Sequence, residues 1–236
     1  MIDNPSNPTR DIGVTRAEAV DIQALQAEGF SPAASAGLFV GIRHFTEDEE
    51  LAEIPYAVDD AVDLAALFCE ELHLLQPDRV VLALKGEPEK YESRDRLARL
   101  KQAGARVENP TQSAIYRLVH EQAQNATADG LFLVMFATHG FSDNGSDFVV
   151  GADSIRRRIV RTGIGVGELF DDVSRSPAKR RIVLLDTCRE RLTAGTRGGG
   201  EGATWSDDFK RSIAETEGQV ILSATVAGGF SYDNTD

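Results

Sequence analysis

The chain has 236 residues, enough for one large domain or one domain with an appendage, and folding at that length buries roughly 70% of the unfolded surface without disulfides. Its 25 Lys and Arg against 38 Asp and Glu leave a net charge of −13, which disfavours nucleic acid and anionic membrane surfaces and favours basic partners, although an acidic surface also simply maintains solubility. Two cysteines, no apolar leader after Met1 and no apolar run near the ~20 residues that span a bilayer point to a soluble, cytoplasmic protein with reduced thiols.

Residues 1–13 carry Pro5, Pro8 and Gly13 among Asn and Asp, the composition of a flexible terminus. Thr15 to Glu28 reads as a helix with Thr15 as N-cap, Glu18 three residues on and Gly29 as its stop. Residues 1–35 are therefore expected to form an N-terminal extension or short pro-segment before a domain over 36–236. Ala36 to Ile42 is the first core strand, and Arg43 to Glu53 a charged loop. Pro55 opens an amphipathic helix from Ala57 to His73, with Ala57, Ala61, Leu64, Leu67, Phe68 and Leu72 on one face. Cys69 falls among them and reads as a small core residue. Val80 to Leu84 is the second strand and completes a right-handed βαβ unit.

The charged stretch Gly86 to Asn109 contains a short helix around Asp95 to Ala103, and Pro110-Thr111 begins another through Asn125. Leu131 to Thr138 is an apolar strand ending in His139-Gly140. Phe141 to Asp147 reads as a turn-rich loop, Phe148 to Gly151 as a short strand and Val166 to Ser174 as a helix. The next strand ends at Asp186. Glu190 to Asp208, with Gly195, Gly198, Gly199, Gly200 and Gly202, is too long and Gly-rich for an ordinary connection. A helix over Phe209 to Glu217 and a strand over Gln219 to Ala224 follow.

Residues 181 to 190, Arg-Ile-Val-Leu-Leu-Asp-Thr-Cys-Arg-Glu, hold the chemistry. A short, branched apolar run bounded by charges reads as a strand buried on both faces of a parallel sheet, with Cys188 just past its carboxyl end. His139 occupies the same position on its own strand. Ligands of open α/β sheets bind outside the carboxyl ends of the strands, where the two side chains can meet. A thiol beside a His can lose its proton and become a nucleophile. No third residue orienting the His can be named from sequence.

His139-Gly140 and Asp186-Thr187-Cys188-Arg189, about 50 residues apart as in the known caspase pattern, resemble the clan of caspases, metacaspases and bacterial caspase-like peptidases. The likeness extends over the element order from Leu38 to Tyr232. It implies an α/β, caspase-like (caspase-hemoglobinase) fold, with a mostly parallel central sheet and helices on both faces. It also implies a His139/Cys188 dyad, an oxyanion hole from the Gly140 and Cys188 N–H groups, and a specificity pocket holding Asp186 with an acidic residue of the first helix, read as Asp60. Ser223 and Ala224 would belong to the substrate groove wall. An acidic pocket favours cleavage after Arg or Lys. Arg189 follows the nucleophile as in animal caspases, so cleavage after Asp stays open.

The family often cuts itself after the Cys strand, and Arg189, Arg191, Arg197, Lys210 and Arg211 flank or fill the Gly-rich loop. Calcium activation, known among metacaspases, would draw on Asp143, Asp147, Asp153, Asp171 and Asp172, but these lack the spacing of an EF-hand and read as a solvated acidic face. No metal or cofactor is expected: His44, His73 and His120 are scattered, and no phosphate-binding glycine motif is present. Expected partners are protein or peptide substrates with basic residues and an activator protein, with no nucleic acid or membrane. Bacterial members suggest a cell-death or defence cascade.

Three departures qualify the likeness. Ala137-Thr138-His139-Gly140 replaces the usual Ser-Gly-His-Gly, Glu190-Arg191 replaces a small residue and Gly, and the sequence stops at Asp236 where the family continues. The domain is accordingly expected to lack its C-terminal end. A catalytically silent caspase-like scaffold and a flavodoxin-like ligand-binding domain are the competing readings.

Overall fold

The computed structural model describes residues 21–187, 189–191 and 219–223. Six strands form the main sheet: β1 (Ala36–Ile42), β2 (Val80–Lys85), β3 (Arg106–Glu108), β4 (Leu131–Ala137), β8 (Arg180–Asp186) and β10 (Gln219–Ser223). Their order is β10-β8-β4-β1-β2-β3, and every neighbouring pair is parallel.

Side chains of β1 and β4 alternate between two cores. Leu38, Val40 and Ile42 of β1, with Phe132, Val134 and Phe136 of β4, pack against α4 (Gln112–Asn125) and α6 (Val166–Ser174), which follows the short α5 (Ile159–Thr162). Phe39 and Leu131, Leu133 and Met135 point the other way, to α2 (Ala57–Ala66). Helices on both faces account for the unbroken apolar runs of these central strands. In β8 the pattern differs from the expected strand buried on both faces. Val183 and Leu185 are buried, whereas Ile182 and Leu184 are half-buried, because Leu184 lines an open cleft.

The α2 helix lies close to β1 because both contact surfaces are small. A Cβ on Gly41 would stand 2.6 Å from the Ala57 carbonyl oxygen and 2.9 Å from the Ala61 Cβ. Leu67 to Glu71 continue α2 as a π-helical turn, and His73, at φ +53°, ends the helical path expected to reach it. Upstream, α1 (Ile22–Ala27) is capped by Asp21, whose carboxylate accepts from the Gln23 and Ala24 N–H groups. Thr15, the expected cap, lies outside the described residues; the described helix has its cap at Asp21.

Three stretches differ from expectation. α3 (Tyr91–Gln102) starts four residues before Asp95, β3 is an edge strand, and the supposed loop after His139 is a hairpin of β5 (Gly140–Asp143) and β6 (Ser146–Val149). Its two turn residues, Asn144 and Gly145, have φ of +47° and +83°, the pair of left-handed conformations that a two-residue hairpin of this kind requires. With β7 (Ile164–Gly165) and β9 (Arg189–Arg191) the hairpin forms a second sheet, ordered β7-β6-β5-β9. No helix among the described residues is long and apolar enough to cross a membrane.

Candidate active site

His139 follows β4 at the carboxyl edge of the main sheet. Its backbone is held on two sides. The Thr138 N–H donates to the Asp186 carbonyl at 3.3 Å, and the Val150 N–H donates to the His139 carbonyl at 3.0 Å. Thr138 is buried and donates its hydroxyl to the Val150 carbonyl at 2.9 Å. The imidazole is half-buried between Phe45 and Phe141, with ring centroids 5.0 and 6.3 Å away. Its Nε2 lies 2.7 Å from the Ala52 carbonyl oxygen. A carbonyl only accepts, so Nε2 carries the proton and Nδ1 presents the lone pair. Ala52 thus orients the ring through its backbone, which leaves no side-chain signal in the sequence.

Cys188 lies outside the described residues, but its neighbours on both sides are described. On β8, Asp186 is level with Ala137 of β4. On β9, Arg189 is level with Gly140 of β5. The offset between the paired segments is the same before and after residue 188.

A cleft of about 390 Å³ opens on the α2 face of the same edge, lined by Asp60, Asp63, Leu64, Met135, Leu184, Leu185, Asp186 and Leu222. Burial, and then the nearby negative charge of Asp186, push the Asp60 carboxyl up from its ordinary value to about 6, while Lys90 pulls it down. Asp59, the preceding residue, has a different task. It is fully buried and accepts from the N–H groups of Glu89 and Lys90 at 2.9 and 2.8 Å. Two such charge-assisted bonds, about 1.5–3 kcal/mol each, offset its desolvation. The helix therefore directs one aspartate into structure and the next into the cleft. Asp63, one turn on, lines the cleft too and pairs with Arg96 at 2.9 Å. It was missed in the sequence, although its spacing of three from Asp60 sets both on one helix face.

The caspase domain family model matches residues 35–236. The chain belongs to the caspase domain family. Members of this family are cysteine peptidases, and a peptidase domain acts on protein substrates. No curated protein matches the chain. Among solved structures, protein GSU0716 from Geobacter sulfurreducens is 14% identical, with a TM-score of 0.41, over 65% of this chain and 50% of its own. Pro-sf-caspase-1 is 14% identical, with a TM-score of 0.40, over 85% of this chain and 64% of its own. The chain thus spans about half to two thirds of the length of these two structures.

Within this caspase domain, the remaining expected site residues fall as follows. Gly140 is buried and begins β5. Arg189 and Arg191 bound β9, so the segment expected to be loop from Glu190 starts as strand. Ser223 ends β10. Ala224, Arg197, Lys210 and Arg211 lie outside the described residues. Of the aspartates considered for calcium, Asp153 caps α4 by accepting from the Gln112 N–H at 2.7 Å, and Asp147 accepts from the Ser142 hydroxyl at 2.5 Å. Asp172 pairs with Arg175 at 3.2 Å.

Proposed function

We propose that this caspase domain is a cysteine endopeptidase that cleaves after Arg or Lys, with His139 as base and Cys188 as nucleophile. The observation that supports it most is the common register on either side of position 188. A Cys188 that kept this offset would fall level with His139. Nδ1 of His139 takes the thiol proton while Nε2–H stays on the Ala52 carbonyl. The thiolate attacks the substrate carbonyl carbon, and the oxyanion is received by the Gly140 and Cys188 N–H groups, a contribution of about 3 kcal/mol per donor. The imidazolium then protonates the leaving amine, and water hydrolyses the thioester.

The acidic cleft supports the basic preference. Bringing two carboxylates together raises the cost of ionising both, and a guest guanidinium relieves it with bidentate bonds. An Asp side chain would add a third negative charge. Self-cleavage between Arg189 and Arg211 follows from the same preference, given the basic residues of that segment. A cytoplasmic role in a cell-death or defence cascade belongs to the same reading. The decisive test is peptide cleavage by the wild-type chain and the Cys188→Ala and His139→Ala variants. Cuts after Arg or Lys that vanish in both variants are expected; cleavage that persists in Cys188→Ala would sink the mechanism.

A further inference from the structure

The carbonyl that orients His139 comes from the loop between β1 and α2, and that loop has its own internal support. Asp48 sits at its centre. One carboxylate oxygen accepts from the Glu50 N–H at 2.9 Å, closing a local turn, and the other accepts from the Arg156 N–H at 2.7 Å, on the far side of the β5–β6 hairpin in sequence. The Leu51 N–H returns to the Asp48 carbonyl at 3.2 Å. Leu51 itself is buried in a small separate core with Phe141, Val150 and Ile159. Ala52 is the next residue, and its carbonyl meets His139.

Farther out, Glu50 pairs with Arg157, and the Thr46 N–H and hydroxyl both donate to the Ala152 carbonyl at 3.1 Å. The loop is thus tied at three points to the segment 152–157, which follows the hairpin that carries Gly140. The guanidinium of Arg156 also lies 5.5 Å from the centroid of the Phe141 ring, one of the two rings flanking the imidazole. A carbonyl on an exposed loop is a poor orienter unless the loop is fixed, because a displacement of about 1 Å at a reacting group costs on the order of a hundredfold in rate.

We infer that Asp48 is a positioning residue for catalysis: by bridging the Glu50 and Arg156 N–H groups it fixes the Ala52 carbonyl, and through it the tautomer and aim of His139. This rests on the peptidase reading for its kinetic consequence but not for its structural one. Asp48 does not line the acidic cleft, so its loss should spare substrate affinity.

The test pairs nitrogen NMR of the imidazole, assigned by loss of its signals in His139→Gln, with steady-state kinetics on an Arg-containing peptide. In the wild-type chain the neutral ring is expected as the Nε2–H tautomer alone. Asp48→Ala should mix the two tautomers and lower kcat about 100-fold with KM within about twofold. Asp48→Asn retains one acceptor oxygen and should fall between. A folded Asp48→Ala with an unchanged tautomer would overturn the inference; if that variant does not fold, Asp48→Asn decides by the same criterion. An inactive wild-type chain would count against the peptidase reading, while the tautomer comparison would still decide the role of Asp48.

Discussion

Asp59 and Asp60 are neighbours on the first turn of one helix, yet they occupy opposite kinds of site. The region around Asp59 is closed: the carboxylate is fully buried and two backbone donors converge on it. The region around Asp60 is open, and its nearest electrostatic company includes the like charge of Asp186. A buried carboxylate with its donors supplied is a structural clamp, here tying α2 to the chain before α3. One set against a second carboxylate in a cleft is relieved by a proton or by an arriving cation. The contrast separates architecture from recognition within two residues.

The largest effect that would break this comparison is on substrate choice. Asp60→Asn combined with Asp186→Asn should lower kcat/KM for Arg peptides by about 1,000-fold, and either single change by about 30- to 100-fold, as expected when one partner of a buried charge pair is lost. Steady-state kinetics on Arg and neutral peptides would show it, and equal losses on both would refute an acidic specificity pocket. Next in size, Asp59→Ala leaves two backbone donors without their acceptor and should destabilise the fold by about 3 kcal/mol, read by urea unfolding, whereas Asp60→Asn should not destabilise it.

Acidity sharpens the same contrast. The folded-state value of Asp60, about 6, lies above its ordinary value of 3.8, so the native state binds the proton more tightly than the unfolded chain. The associated stability is fully present below about pH 4 and is lost as the pH rises through about 6. Asp60→Asn should remove that slope, gaining stability over the wild type at pH 8 and none at pH 3.5. A parallel pair of stability curves would contradict the assignment. Smallest in expected size is Gly41→Ala. It pushes a methyl group into the Ala57 carbonyl and should cost about 1–3 kcal/mol while moving α2, so Arg-peptide KM should rise with it.

Much of the sheet was legible because its central strands are buried on both sides and announce themselves as apolar runs; β1 begins and ends where the run does. α6 likewise follows its apolar face. The misses have physical causes. β3 and β9 are three-residue edge pieces made largely of charged residues, so their sequences carry no apolar alternation. The β5–β6 hairpin had its signal in Asn144-Gly145, overlooked because the alternation on either side is short. At the site, His139 and the two aspartates were legible as side chains. The Ala52 carbonyl was not, since backbone geometry is set by Asp48, Leu51 and contacts over a hundred residues away.

The peptidase mechanism and its acidic pocket are tested together by labelling with an electrophilic peptide ending in Arg, followed by mass spectrometry of the modified residue. The chain contains its own control: Cys69 is buried, and burial pushes its thiol up to about 12, so it should not react. Modification is expected at Cys188 alone, much reduced for the Asp-containing analogue and for Asp60→Asn. Modification at Cys69, or labelling of Cys188 that is indifferent to the charge of the peptide, would contradict it.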